Sequence, residues 1–335
     1  MTRSMIEPLT REVFKQACPV GEPGTQNKNV SRMPVWIRHR LGKDNLFGVT
    51  LQAVQTHQLH TVCEEARCPN RGECWSRGTA TFMLLGDTCT RACGFCSVKT
   101  GRPNDVDKYE PMRVAAAVSA MGLNYVVLTS VNRDDLRDGG ASIFADTLSM
   151  LRDRNNKIGV EFLTPDFHRR QEQAIELVTN ALGDQVGDEK TGLVWGHNIE
   201  TVPRLYRQVR KGASYERSLK LLQQVSVMPG VESKTGIMLG LGETHDEVYR
   251  VLRDCRDAGV KRISIGQYLR PTMQHLPVIS YVHPHTFNRY AVAARVMGFS
   301  WVKAGPLVRS SYHAEEDQSK AFQEFNQDKF NDKFY

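Results

Sequence analysis

Thr81-Phe-Met-Leu-Leu-Gly-Asp-Thr-Cys-Thr-Arg-Ala-Cys-Gly-Phe-Cys96 runs a short apolar segment straight into three closely spaced cysteines. Its first half has the length and β-rich composition of a buried strand, and the Gly-Asp pair then releases the chain into a loop. Five more runs of this kind follow: Tyr125-Val-Val-Leu-Thr, Ile158-Gly-Val-Glu-Phe-Leu, Gly192-Leu-Val-Trp, Thr235-Gly-Ile-Met-Leu-Gly-Leu and Arg262-Ile-Ser-Ile-Gly. A segment of helical period separates each from the next, so βα units and a parallel sheet are expected. Six units predict an α/β fold, a partial (β/α)6 barrel of the TIM type over residues 79–300. Its chemistry belongs on the loops after the C-terminal strand ends. Residues 1–78 are expected to form an N-terminal extension, with a Pro/Gly-rich stretch at Pro19-Val-Gly-Glu-Pro-Gly24, and residues 301–335 a polar C-terminal tail.

Composition narrows the class. The 335 residues are 24% charged and 40% hydrophobic, ordinary for a globular protein that buries its core without disulfides. No uncharged apolar run approaches the roughly 18 residues of a membrane span. The first thirty positions carry Glu, Arg and Lys rather than an apolar signal core, so the cytoplasm is the expected compartment. A net charge of +7 is spread along the chain without blocks or interleaved aromatics, which argues against a nucleic-acid partner.

Six of the eight cysteines fall between Cys63 and Cys96, and clustering of this kind in a cytosolic chain indicates metal ligation. Cys18 and Cys255 stand apart, and Cys255 reads as core. Cys89, Cys93 and Cys96 are separated by three residues and then two. Three thiolates can hold a four-iron cluster and leave one iron open to a small molecule. By spacing alone a zinc knuckle or half a zinc site is the lesser alternative, and placement after a first strand with five more downstream disfavours it further. Cys63-Glu-Glu-Ala-Arg-Cys68-Pro-Asn-Arg-Gly-Glu-Cys74 supplies three further thiols, for a second cluster or for one shared zinc site. The ten histidines form no metal-spaced set, and His57, His60, His283 and His285 read as isolated.

Polar groups at the strand ends are candidates for binding a cofactor: Thr129 with Ser130, Asp134 and Asp135, Asn198 and Glu200, and Arg217, whose guanidinium suits a carboxylate. Each serves equally well as a cap or an ion-pair member. Gly240 and Gly242 allow close approach or merely shape a turn.

The spacing of Cys89, Cys93 and Cys96, with Phe95 before the last, is the signature of the radical S-adenosylmethionine superfamily. Over nearly its whole length the chain resembles the lipoyl synthase family. The resemblance rests on the Cys63–Trp75 and Gly86–Cys96 segments, Arg133-Asp-Asp-Leu136, Asn198-Ile-Glu-Thr-Val-Pro-Arg-Leu-Tyr206 and Arg309-Ser-Ser-Tyr312. It implies a sulfurtransferase with two [4Fe–4S] clusters and S-adenosyl-L-methionine. Cys89, Cys93 and Cys96 would hold the radical-generating cluster; Cys63, Cys68, Cys74 and Ser311 would hold an auxiliary cluster consumed as the sulfur donor. It also implies insertion of two sulfur atoms at C6 and C8 of a protein-bound octanoyl-lysine. The partners it implies are octanoylated lipoyl carrier domains (E2 subunits or the glycine cleavage H protein), a donor such as ferredoxin or flavodoxin, and an iron–sulfur carrier for cluster repair. The chain departs from the family's usual wording at the polar stretch 183–192, at Phe167-His-Arg-Arg170 and at Trp195-Gly-His-Asn198. Enzymes resembling biotin synthase, methylthiotransferases and zinc-stabilised binding modules are the competing classes. They lack the four-then-five cysteine spacing paired with Arg-Ser-Ser-Tyr.

Overall fold

A computed structural model describes residues 33–37, 51–52, 54–57, 59–65, 68, 70–76, 81–183, 192–311 and 314. Eight strands form one sheet: β1 (His60–Thr61), β2 (Thr81–Leu84), β5 (Tyr125–Ser130), β6 (Gly159–Leu163), β7 (Leu193–Gly196), β8 (Val231–Leu239), β9 (Arg262–Gln267) and β10 (Trp301–Gly305), hydrogen-bonded in that order. β1 is antiparallel to β2, and every other pairing is parallel. Two further strands, β3 (Thr88–Cys89) and β4 (Lys99–Thr100), pair with each other alone. All six apolar runs become neighbouring strands of one open α/β barrel sheet.

The sheet goes one strand further than six units. β10 lies in the segment expected to be tail, yet it pairs with β9 from Trp301↔Arg262 to Gly305↔Gly266. Lys303, Ala304 and Gly305 disguise it, because an edge strand near the barrel mouth needs no continuous apolar run. Most of the stretch 183–192 lies outside the described residues.

Helices follow the strands and cover the outside of the sheet. The outer helices are α3 (Glu110–Ala120), α4 (Ala141–Arg154), α5 (Gln171–Leu182), α7 (Tyr215–Ser226), α8 (His245–Asp257) and α9 (Pro284–Val296), while α1 (Val62–Glu65), α2 (Arg71–Ser76) and α6 (Tyr206–Val209) are single turns. α8 begins with a reciprocal capping box: Thr244 accepts from the Glu247 N–H and the Glu247 carboxylate accepts from the Thr244 N–H. Two apolar cores result. One joins Phe82, Leu84, Leu128, Phe144, Phe162 and Trp195, and the other joins Ile237, Leu252, Cys255, Ile263, Ile265 and Phe287. Cys255 is therefore core, as its helical setting suggests. Among the described residues no helix is long and apolar enough to cross a membrane.

Toward the N-terminal strand ends the barrel interior is charged. Lys234 Nζ donates to both Glu161 oxygens at 2.7 and 2.8 Å, Tyr125 donates to Glu161 at 3.1 Å, and the ammonium sits 4.6 Å from the Trp301 ring centroid. Side chains of β5, β6, β8 and β10 thus meet inside the curl, which closes the floor below the site. Burial of a pair like this stabilises only while both charges are present. Lys234→Met is expected to cost about 3–5 kcal/mol in urea denaturation, and Lys234→Met/Glu161→Gln to recover most of it. A single variant within about 1 kcal/mol of the parent would show that the pair is solvated after all.

Candidate cluster and cofactor site

β2 ends in a turn of two consecutive left-handed residues, Leu85 (φ 69°) and Gly86 (φ 85°), with the Leu85 N–H donated to the Glu110 carboxylate at 2.8 Å. That turn throws the cysteine loop across the C-terminal end of the barrel. Pairing of β3 with β4 ties the base of the loop, and the Gly101 N–H donates to the Cys89 carbonyl at 3.0 Å. Further bonds pin its course. The Thr90 N–H reaches the Asn132 carbonyl (3.0 Å), the Gly94 N–H reaches Val209 (2.9 Å), and the Gly94 carbonyl accepts from Leu276 (3.0 Å). Glycine at position 94 gives room here, since a Cβ would come within 2.9 Å of the Leu276 side chain and 3.2 Å of the Gln208 carbonyl.

Under this loop sits a charge network. Arg91 binds Asp134 through two nitrogens at 2.6 and 2.7 Å and Asp166 at 2.7 Å; Arg217 binds the other Asp166 oxygen at 2.7 Å. Burial disfavours the Asp166 carboxylate, but the bond and charge of Arg91, followed by His197 and Arg217, hold it well below the usual carboxylate range. Neither Arg91 nor Asp166 was singled out from sequence, although Arg91 lies inside the cysteine motif and Asp166 just past a strand. Thr129 is buried and donates to the Leu163 carbonyl at 2.7 Å, and Asp135 is exposed and held by Arg133 at 2.8 Å.

Glu200 lies within electrostatic reach of two of the thiols, with Asn198 bonded to it. Glu200 is held in the left-handed region at φ 67° by two bonds to β8, from its own N–H to the Gly236 carbonyl (2.9 Å) and from the Met238 N–H to its carbonyl (2.8 Å). Holding a non-glycine residue in that conformation costs about 1–3 kcal/mol, which the two bonds to β8 help offset. Its carboxylate accepts from Asn198 at 2.9 Å, and its charge bears on both Cys93 and Cys96. Arg210 is buried beside it, with Nη1 on the Asn198 carbonyl at 2.7 Å. Gly240 and Gly242 shape a turn, in which the Glu243 carboxylate accepts the Gly240 and Leu241 N–H groups at 2.5 and 2.9 Å.

The donor set fits an iron–sulfur cluster. Cys63, Cys68, Cys74, Cys89, Cys93 and Cys96 are thiols, not disulfides. Burial pushes the Cys93 thiol up to about 11 and Cys96 to about 12, and the neighbouring cysteines add to both shifts. Such thiols stay protonated until a metal replaces the proton. Cys89 Sγ already accepts the Arg91 and Asn132 N–H groups at 3.4 and 3.3 Å, the N–H···S pattern that stabilises cluster sulfur. Among the described residues no three His, Cys, Asp or Glu side chains converge closely enough for a single ion. A cubane, whose ligands attach at separate corners, does not need them to.

The second cysteine group meets this loop. Ser97 Oγ donates to the Glu65 carbonyl at 2.7 Å, beside Cys63 and Cys68. The Cys68 N–H bonds the Cys63 carbonyl (3.2 Å) and the Cys74 N–H bonds Asn70 (2.9 Å). Asn70 in turn donates to the Leu307 carbonyl at 2.7 Å, which links the cysteine turn to the segment leading to Ser311. Ser311 is half-buried, and Tyr312 lies outside the described residues.

A parallel barrel whose mouth carries three half-buried thiols is the mark of a radical S-adenosylmethionine enzyme, and the family model for the radical SAM superfamily matches residues 83–255. Among solved structures the fold is similar to Streptococcus suis SuiB bound to S-adenosylmethionine (TM-score 0.50, 12% identity, 70% of this chain and 53% of that one). It is similar too to the FeFe-hydrogenase maturase HydG from Carboxydothermus hydrogenoformans (TM-score 0.50, 16% identity, 66% of this chain and 52% of that one). The chain spans about half the length of both.

Curated relatives are much nearer. Lipoyl synthase of Coxiella burnetii (strain RSA 493 / Nine Mile phase I) is 50% identical over 285 residues, 85% of this chain and 88% of that one. Lipoyl synthase of Klebsiella pneumoniae subsp. pneumoniae is 47% identical over 309 residues, 91% and 93% of the two chains. The chain belongs to the lipoyl synthase family, and as a radical S-adenosylmethionine enzyme it uses S-adenosylmethionine and a four-iron cluster.

His197 reports on the polar floor of the site. It is buried between the Thr164 carbonyl (2.8 Å) and the Ser218 hydroxyl (2.9 Å), and burial followed by the charge of Arg210 lowers it to about 4. The unfolded chain therefore binds its proton first, and stability falls as pH drops from about 6.5 toward 4. Urea midpoints are expected to decline over that window by an amount equivalent to up to about 3 kcal/mol, and the decline to flatten in His197→Gln. An unchanged slope in that variant would mean that other groups carry the effect.

Proposed function

We propose that the chain inserts sulfur at carbons 6 and 8 of an octanoyl chain carried on a lysine of a lipoyl carrier domain, using two clusters at one barrel mouth. Cys89, Cys93 and Cys96 hold the cluster that meets S-adenosylmethionine. Cys63, Cys68, Cys74 and Ser311 hold the second. The extension up to residue 78, the barrel from 79 through β10 and the tail beyond Gly305 each contribute a part. The observation that carries this reading is the joining of the two cysteine groups through Ser97 to Glu65, and of the second group to the segment before Ser311 through Asn70 to Leu307.

When bound, the clusters and S-adenosylmethionine supply an electron, a hydrogen-abstracting radical and the sulfur that an unactivated alkyl carbon requires. The residues of the chain supply placement. Arg91, Asp134, Asp166 and Arg217 lock the loop of the first thiols to the barrel, so Cys89, Cys93 and Cys96 would be held in place to receive a cluster. Asn198 and the Glu200 carboxylate, whose charge bears on Cys93 and Cys96, would offer acceptors to the amino group of S-adenosylmethionine. Thr129, bonded to the Leu163 carbonyl, and Asp135, paired with Arg133, would add further polar atoms at the strand ends. A serine oxygen at position 311 is a more easily displaced iron ligand than a thiolate, which suits a cluster that gives up its sulfur. The reaction further calls for a one-electron reductant of the ferredoxin or flavodoxin kind and an iron–sulfur carrier that rebuilds the second cluster.

Anaerobic turnover of an octanoylated carrier peptide, followed by product mass and by deoxyadenosine, separates the two roles. Cys93→Ala is expected to form neither product. Cys68→Ala is expected to keep forming deoxyadenosine while sulfur product falls at least about a hundredfold. Full sulfur insertion by Cys68→Ala would refute the assignment of the donor. The parent protein is expected to be brown, with about eight irons per chain; a colourless protein holding zinc would refute both clusters.

A further inference from the structure

After β10 the chain turns sharply, with the Val308 N–H on the Gly305 carbonyl at 3.1 Å, and runs back across the C-terminal ends of β8 and β9. Two strand glycines make room for it. At Gly266 in β9 an added Cβ would overlap the carbonyl of Val308. At Gly236 in β8 it would lie 2.9 Å from Ser310 Oγ and 2.8 Å from Asn198 Oδ1. Neither glycine has a left-handed φ, so what glycine provides at both positions is space. Two asparagines then hold the segment from opposite sides: Asn70 donates to the Leu307 carbonyl at 2.7 Å and Asn198 to Ser310 Oγ at 2.6 Å. Arg309 lies between them, within the charge fields of Cys68 and Glu200, and Ala314 beyond is buried.

We infer that Gly236 and Gly266 form a seat for residues 307–310, latched by Asn70 and Asn198, and that this seat positions Ser311 against the second cysteine group. The inference rests on the proposed role of Ser311 as a ligand. It adds that the ligand is delivered by backbone fit and not by its own bond to iron. A weakly held oxygen ligand that must leave and return needs its segment kept in place while it is detached. The glycines and asparagines provide this without touching iron.

Hydrogen exchange of the amides of residues 307–311 in the cluster-loaded protein, alongside iron content and deoxyadenosine formation, tests the seat. Gly266→Ala is expected to raise exchange in this segment at least tenfold and to lower iron from about eight to about four per chain, while deoxyadenosine formation stays within twofold. A general folding defect would remove both clusters together. Asn70→Ala, which deletes one hydrogen bond and no ligand, is expected to speed the same exchange about fivefold; it decides the question if Gly266→Ala does not fold. Unchanged exchange, or faster exchange with both clusters retained, would overturn the seat. Failure of the underlying assignment looks different: the parent itself would hold only about four irons, while the exchange comparison would still report on the seat.

Discussion

Asp166 lies buried under the cysteine loop with a guanidinium group on each carboxylate oxygen, Arg91 on one and Arg217 on the other. The loop after β2, the loop after β6 and the start of α7 are joined at this one carboxylate, and Arg91 extends the link to Asp134 after β5. A loop carrying three thiols is otherwise a mobile surface segment. Here it is held by charge-assisted bonds whose desolvation is offset only when all partners are present. Placement of the three thiols at the barrel mouth depends on that arrangement.

The parallel sheet explains why distant segments can cooperate. Every βα loop opens on the same face, so residues from β2, β5, β6, β7 and β8 share one mouth without long excursions of chain. The second cysteine group reaches that mouth from before the barrel, and Ser311 reaches it from after. Neither belongs to a βα loop, and both depend on side chains that bond across large sequence separations, Asn70 to Leu307 above all. Glu200, kept in a left-handed conformation by β8, stands within the charge fields of Cys93, Cys96 and Arg309.

Legibility in the sequence followed the range of the interactions. Six strands could be read because each buries a contiguous apolar run, and the cysteine loop could be placed because it directly follows the first of them. β10 could not, since Lys303 and Gly305 break its pattern and its pairing partner is set by the barrel's handed winding. Asp134 and Arg217 stood out as polar groups near strand ends. Their engagement with Arg91 and Asp166 depends on a carboxylate that in sequence is one acidic residue after a proline. Gly236 and Gly266 gave no signal, because a glycine needed for space looks like any other until its neighbours are known.

Taken alone, the order of residues determined the class of fold, the two groups of three thiols and the resemblance that links them to Arg309-Ser-Ser-Tyr312. These are local properties: period, spacing and short motifs. Tertiary structure decided that both groups open on one mouth, that a buried carboxylate anchors the first, and that two missing Cβ atoms admit the tail carrying Ser311. Those outcomes depend on distances between residues far apart in the chain, which only the closing of the sheet defines.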